Sequence, residues 1–438
     1  MNALKYLLVI FVSVMPFAAD AVDVERVVSP GGIEAWLVQD HANPLVSMQF
    51  EFAGGAALDP KGKNGLANLA ASTMDEGAGN LDSQAFQQRL KDQSIQLSFS
   101  ASLDRFSGQF KTLKIHEDEA FNLLHSALVK PRFDAEPIDR LKRQIVSGIR
   151  SDSENPGVVA YHALFEGFFK DHGYARRTKG TVKSVEAINR GDLKQFVKTR
   201  IARQNLKIGV VGDITPARLA ELLDKTFLAL PLTPGPAQTM DIKADAHGRL
   251  VVIDKDVVQS TIAFGQAGLK RKDPDFYAAL VLNHILGGGS FTSRLYSEVR
   301  EKRGLAYSVG TSLYPLIHSA MIVGTAGTEN ARVAETIDII RAEWKRLAKG
   351  DLGQDELNNA KTYLTGSFPL KFTSTDAIAG TLVGMQTYDL GLDYLDQRNS
   401  YINHVTLKAV QRVAKKYLDA DMLDIVVVGK PQGVVSKP

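Results

Sequence analysis

LKIGVVG, residues 206–212, returns as LDIVVVG at residues 423–429, and the fold follows from that echo. Each is a short apolar run rich in β-branched residues, the pattern of a buried strand. Working outward, Asp59-Pro60 ahead of the first helical stretch is matched 214 residues later by Asp273-Pro274. Ser102-Leu103 is matched 210 residues later by Ser312-Leu313, and the two strands themselves lie 217 apart. Three spacings this similar, each on the same kind of element, indicate a duplicated domain of roughly 210 residues.

Within the first copy, alternation predicts strands over Ile33–Gln39, Leu45–Phe52, Ile95–Leu103 and Phe106–Leu113. Helical spacing covers Gly65–Glu76, a stretch capped by Ser83 that runs to Leu90, and the Phe121, Leu124, Leu128 row. A longer helix follows Pro131, with Ile138, Leu141, Ile145 and Ile149 on one face, and ends near Asn155-Pro156. Strands mixed with helices, without strict βαβ alternation, give an α+β fold: two homologous domains, each a mostly antiparallel sheet covered by helices on one face. The expected domains are 22–230 and 246–438, with a linker over 231–245. The seam is LPLTPGPAQT, residues 230–239, whose three prolines suit a stiff, exposed connection. A cleft between two such halves is the usual place for a ligand.

A chain of 438 residues with 44% hydrophobic and 23% charged residues has the composition of an ordinary globular protein. Its net charge of +3 is too small to argue for nucleic acid. The N-terminus has one lysine, an apolar run from Tyr6 to Val14, Pro16, and then Ala19-Asp20-Ala21. That is the layout of a cleaved signal peptide over residues 1–21, and the apolar run is too short for a stable membrane anchor. Cysteine is absent, which excludes disulfides and thiolate chemistry and suits an oxidising compartment. The expected location is the bacterial periplasm, with secretion as the second choice.

Polar chemistry is densest in LGGGSFTSRLYSEVREKRGLAYSV, residues 286–309. Gly287 to Gly289 end one helical pattern, Ser290 or Thr292 caps the next, and Leu295 and Val299 share its buried face. That helix stops at Gly304, after which Leu305, Tyr307 and Val309 alternate as a half-buried strand does. Arg300 and Tyr307 thus lie seven residues apart across a helix-to-strand corner, where a planar cation and a phenol can meet one ligand. Arg300 also reads as one member of a solvated cluster with Glu298, Glu301, Lys302 and Arg303, and Tyr307 as a cross-strand packing residue. Phe291 and Tyr296 read as core or interface. The triple glycine lacks the Lys-Ser/Thr of a phosphate-binding loop.

The corner RLYSEVREKRGLAYSV, the duplicated halves and GYARRTKGTVKSVEAI at residues 173–188 together resemble the pitrilysin or insulinase (M16) zinc-peptidase family, in its short bacterial form. The resemblance implies an N-terminal half with an inverted zinc motif, His-x-x-Glu-His, and a glutamate downstream as third ligand. It implies a C-terminal half whose Arg/Tyr pair helps to hold the substrate. Aligned on Gly65-Leu66-Ala67 and Gly77, the motif positions hold Asn68, Ala71 and Ser72, and the third ligand falls at Ser147 or Gly148. Zinc hydrolysis needs nitrogen or carboxylate donors and a carboxylate base beside the bound water. None of these residues qualifies. His116-Glu117-Asp118-Glu119-Ala120 lacks a second histidine and reads as acidic charge at a helix N-terminus. His162, His172, His284, His318 and His404 have no partner at i+3 or i+4 and read as ordinary histidines. Lys142, Arg143 and Arg150 read as a wet helix face.

The resemblance implies that active short members work in pairs, in some of which one chain keeps the zinc and the other the Arg/Tyr pair. The resemblance therefore implies a non-catalytic subunit of a heterodimeric zinc peptidase. Such a subunit binds no metal or other cofactor of its own, pairs with a zinc-bearing subunit that has the His-x-x-Glu-His motif, and takes an extended peptide substrate. Two alternatives stand beside it: a structural or peptide-binding scaffold with no catalytic role, and a homodimeric metallopeptidase with an unrecognised metal site.

Overall fold

The computed structural model describes residues 23–437, so the expected signal peptide lies outside the described residues. The first half forms a six-stranded sheet from β1 (Glu25–Val28), β2 (Glu34–Gln39), β3 (Leu45–Ala53), β4 (Gln96–Ala101), β5 (Arg105–Leu113) and β6 (Leu206–Gly212), in the order β1-β2-β6-β3-β5-β4. The second forms a five-stranded sheet from β7 (Leu250–Asp254), β8 (Gln259–Ala267), β9 (Ala306–Pro315), β10 (Ala320–Glu329) and β11 (Asp424–Gly429), in the order β7-β11-β8-β10-β9. Every pairing is antiparallel except β2 with β6 and β7 with β11. The two echoed runs are therefore topologically equivalent central strands. Both end on a glycine with positive φ, +150° at Gly212 and +153° at Gly429. A Cβ at either place would strike the neighbouring strand, at Leu45 or Ser260, so the repeated glycine is a geometric requirement.

Each sheet buries one face under helices of its own half. In the first, Leu69, Phe86, Phe121, Leu124, Phe196 and Leu223 pack on Phe50, Phe106 and Phe110. In the second, Leu282, Leu295, Trp344 and Val413 pack on Phe264 and Val427. Beyond the one helix-covered face that the sequence predicts, the opposite face of each sheet is covered as well, by a helix from the other half. The helix Pro156–Phe169 lays Leu164, Phe165 and Phe168 over Ala263, Val323, Val426 and Val428 of the second sheet. The helix Thr375–Thr387 lays Ala379, Leu382 and Met385 over Trp36, Val38 and Val211 of the first. Central strands sandwiched in this way must be apolar on both sides, which is why β11 is buried at every position. Buried polar bonds lock the exchange: Gln386 Nε2 donates to the Ile208 carbonyl at 2.7 Å.

The connection from Leu228 to Arg249 has no regular structure and is largely exposed over residues 231–241, as its prolines suggest, but it is pinned at points along its length. Backbone amides bind it to the first half, Arg203 to Pro231 O at 2.9 Å and Gly235 to Thr199 O at 2.7 Å, and Ala244 and Ala246 are buried. No described helix is long and apolar enough to cross a membrane.

Candidate functional site

The glycine corner and the turns after it are built from irregular helix. His284–Gly288 and Tyr296–Glu301 are π-helical, with wide bonds such as Gly289 N to His284 O at 2.8 Å and Lys302 N to Ser297 O at 3.0 Å. Gly287 is needed because a Cβ there would lie 2.6 Å from Thr311 Oγ1 on β9. The cap is Ser293, not Ser290 or Thr292: its hydroxyl accepts from Tyr296 N at 3.4 Å, whereas Ser290 sits at φ +47°. Leu295 and Val299 are fully buried, as their spacing predicts.

Tyr307 departs from the sequence expectation. Strict alternation would turn it inward with Leu305 and Val309, which are both buried, yet Tyr307 is 78% exposed. The cause is a β-bulge: Gly327 pairs with Ser308 and Thr328 with Ala306, so Tyr307 has no partner on β10. An extra residue of this kind re-aims one side chain out of the pleat. The phenol then lies beside Arg300, whose guanidinium carbon is 4.6 Å from the Tyr307 ring centre and 5.0 Å from that of Tyr296. Phe291, 69% exposed, continues the row with an edge contact to Tyr296 at 5.0 Å.

The charge cluster around Arg300 resolves unevenly. Glu298 binds Lys302 and Arg303, each at 2.5 Å, and Lys302 first and Arg303 second hold its carboxyl below the ordinary range. Among the described residues no carboxylate pairs with Arg300, so it rests between aromatic faces with its donor fork unclaimed by an acid. Arg294, at the start of this segment, is anchored by a two-point contact with Glu356, both distances 2.7 Å.

The degenerate metal positions lie on the helix Leu66–Thr73 and the helix Ala135–Glu154, which pack together. Ala71 is buried, Asn68 is half-buried, and the Ser72 hydroxyl donates back to the Asn68 carbonyl at 3.0 Å. Gly148 faces open space where a ligand side chain would need to project. Among the described residues no group of three or more His, Asp or Glu side chains is placed to hold a metal, so the residues present do not fit a zinc centre. What remains is an anchored helix. The Asp59 carboxylate accepts from Gly65 N at 2.9 Å and Ala67 N at 3.1 Å, and burial pushes its pKa up to about 7 against the pull of Arg200. Past the other end, burial pushes Asp75 up to about 6.

Both clusters sit at sheet edges. β4, which packs on the helix Leu66–Thr73, and β9, which carries Tyr307, are each terminal in their sheets. The cleft between the halves is present as a cavity of about 440 Å³, walled by Arg105, Arg200 and Asn205, by the connection from Pro234 to Thr239, and by Ile317. None of the candidate residues lines it, so the inter-domain cleft is not where the candidate site falls. The acidic run at Glu117–Glu119 is structural: Glu117 and Asp118 bind Arg218 at 2.7 and 2.8 Å. His284 is a core residue stacked on Tyr363 at 4.8 Å.

A duplicated α+β half with an Arg/Tyr corner defines a class, and comparison with known proteins agrees on the fold family. A family model described as Insulinase (Peptidase family M16) matches residues 35–182, and one described as Peptidase M16 inactive domain matches residues 187–364. The chain belongs to peptidase family M16. It is 27% identical over 400 residues to a Helicobacter pylori protein described as a non-peptidase homolog, YmxG, covering 89% of this chain and 90% of that one. A crystal structure from Pseudomonas fluorescens described as a peptidase M16 inactive domain superposes with a TM-score of 0.87 at 28% identity, over 95% of this chain and 99% of the other. A Helicobacter pylori protein described as a protease shares the fold with a TM-score of 0.85 at 21% identity, over 93% and 100%.

Proposed function

We propose that this chain is the non-catalytic subunit of a periplasmic two-chain zinc peptidase, and that it lends Arg300 and Tyr307 to an active site whose zinc and His-x-x-Glu-His motif belong to the partner. The observation that carries the reading is the bulge that turns Tyr307 to solvent beside an arginine without a carboxylate partner. An exposed phenol held by its backbone is poorly explained by packing and well suited to meeting a group on another molecule. Arg300 would hold a peptide carbonyl or carboxylate with its planar fork, and Tyr307 would donate to the scissile carbonyl as charge develops on its oxygen. An extended peptide would pair with a free sheet edge, for which β9 and β4, the terminal strands beside the two clusters, are the nearest.

The test is to co-purify the chain with the zinc-bearing M16 protein it captures and to assay peptide cleavage by each alone and by both. Activity is expected only in the mixture, and Tyr307→Phe is expected to lower it about 10²-fold to 10³-fold, the usual cost of one oxyanion donor. No gain on mixing, or full activity with Tyr307→Phe, would sink the shared-site reading. A second reading, a peptide-binding scaffold with no catalytic part, is favoured by the description of the Helicobacter pylori relative as a non-peptidase homolog. It predicts that Arg300 and Tyr307 are both dispensable.

A further inference from the structure

The loop between the helix Pro156–Phe169 and the helix Val182–Ala187 carries Arg176, Arg177 and Lys179, which the peptidase reading leaves unused. Arg176 is committed to structure, donating to the Asp59 carbonyl at 2.6 Å. Lys179 spends one donor on Asp152 at 2.7 Å. Arg177 is different: among the described residues its guanidinium has no hydrogen-bond acceptor and no carboxylate partner, and it lines a cavity of about 150 Å³. The same cavity is lined by His162, Lys179, Asp152, Ile149 and Gly180. The half-buried imidazole of His162 also has no hydrogen-bond partner among the described residues. Burial above all, and then the charge of Arg177, hold it below the ordinary histidine pKa, so it stays neutral and offers one N–H.

The cavity adjoins the vacated metal positions. Ile149 and Asp152 follow Gly148 along the same helix. A Cβ on Gly65, at the head of the helix that bears Asn68, Ala71 and Ser72, would lie 2.6 Å from the Lys179 carbonyl. Ser184, just beyond the loop, donates to the Asn64 carbonyl at 2.7 Å and clamps the two together. Lys179 and Asp152 cancel, which leaves the single charge of Arg177 over a space that suits a compact anionic group.

We propose that this cavity is an oxyanion site, with Arg177 as the charge partner and His162 as a neutral donor, that takes a carboxylate or phosphate group. A space of this size suits one such group. Free phosphate and the terminal carboxylate of a peptide share this chemistry. The proposal stands apart from the two-subunit reading, because it concerns the chain alone.

The test follows the nine histidines of the full chain by ¹H–¹³C NMR, with His162→Gln identifying the His162 signal, while inorganic phosphate is added at pH 7.5 and sodium chloride holds the ionic strength constant. The expected result is a saturable shift of the His162 signal. Arg177→Met should weaken binding about 10-fold to 100-fold, the loss of a hydrogen bond to a charged group. Arg177→Lys, which keeps the charge without the fork, should fall between the two, and circular dichroism checks that both variants are folded. N-acetyl-leucine and N-acetyl-leucinamide separate the sources. Tighter binding of the acid than of phosphate assigns a peptide terminus, and the reverse order assigns free phosphate. No saturable shift with either anion, a shift unchanged in Arg177→Met, or an amide that binds as tightly as the anions would overturn the proposal.

Discussion

Phe168→Ala is the substitution that best probes the crossed helices. Phe168 is 1% exposed on a helix of the first half, yet its ring packs on Gly265 and the second sheet. Deleting a buried phenyl costs about 3–5 kcal/mol when the cavity cannot collapse, and a rigid sheet floor leaves little room to do so. With a urea m-value near 3 kcal/mol/M, the unfolding midpoint should fall by about 1–1.7 M. The two tryptophans divide the readout between the halves. Trp36 lies on the first sheet beneath the helix Thr375–Thr387, and Trp344 is buried in the second core, where its indole donates to Gln266 Oε1 at 2.9 Å. Trp36→Phe and Trp344→Phe backgrounds therefore report one half each by fluorescence. Because each half covers the other's sheet, both signals should shift by the same amount in Phe168→Ala. A shift of the Trp344 signal alone, with Trp36 unfolding at its original midpoint, would refute the view that the exchange couples the halves.

Further outcomes follow from the buried acids and the corner. Asp59 and Asp75, with folded pKa values pushed up to about 7 and about 6, bind protons in the folded state that the unfolded chain has already released. The slope of stability with pH is then negative, so stability present at about pH 4 declines as pH rises through about 7, and Asp59→Asn with Asp75→Asn should flatten that decline in urea titrations across the range. Arg294→Ala removes the two-point partner of Glu356, whose side chain is 37% exposed and keeps the Gly353 amide, and should cost about 1–2 kcal/mol in the same assay, the loss of hydrogen bonds to a charged group partly open to solvent.

Much of the architecture was legible in the sequence because its strongest signal is local. A strand buried on both faces must read as a continuous apolar run, so β6 and β11 announced themselves and their recurrence gave the duplication. The crossing of the helices was not legible from period alone, although Leu164, Phe165, Phe168 and Phe169 crowd one short helix more densely than a single buried face requires. That Asn68, Ala71 and Ser72 are not the residue types zinc hydrolysis needs is plain from the sequence alone, because no packing turns alanine into a base. His162 and Arg177 were passed over because they converge from separate elements, which no spacing rule detects. Tyr307 shows the boundary most clearly. Its residue type and its distance from Arg300 pointed to a site, but its alternation pointed inward, and only the unpaired residue on β9 resolves the conflict. Arg300 likewise rides on a π-turn, where the widened register displaces each following side chain around the axis. Both members of the pair thus owe their direction to a local irregularity that regular secondary structure would not have supplied. Such departures are costly to keep without a use, and finding two of them on either side of one corner is the structural reason to look for function there.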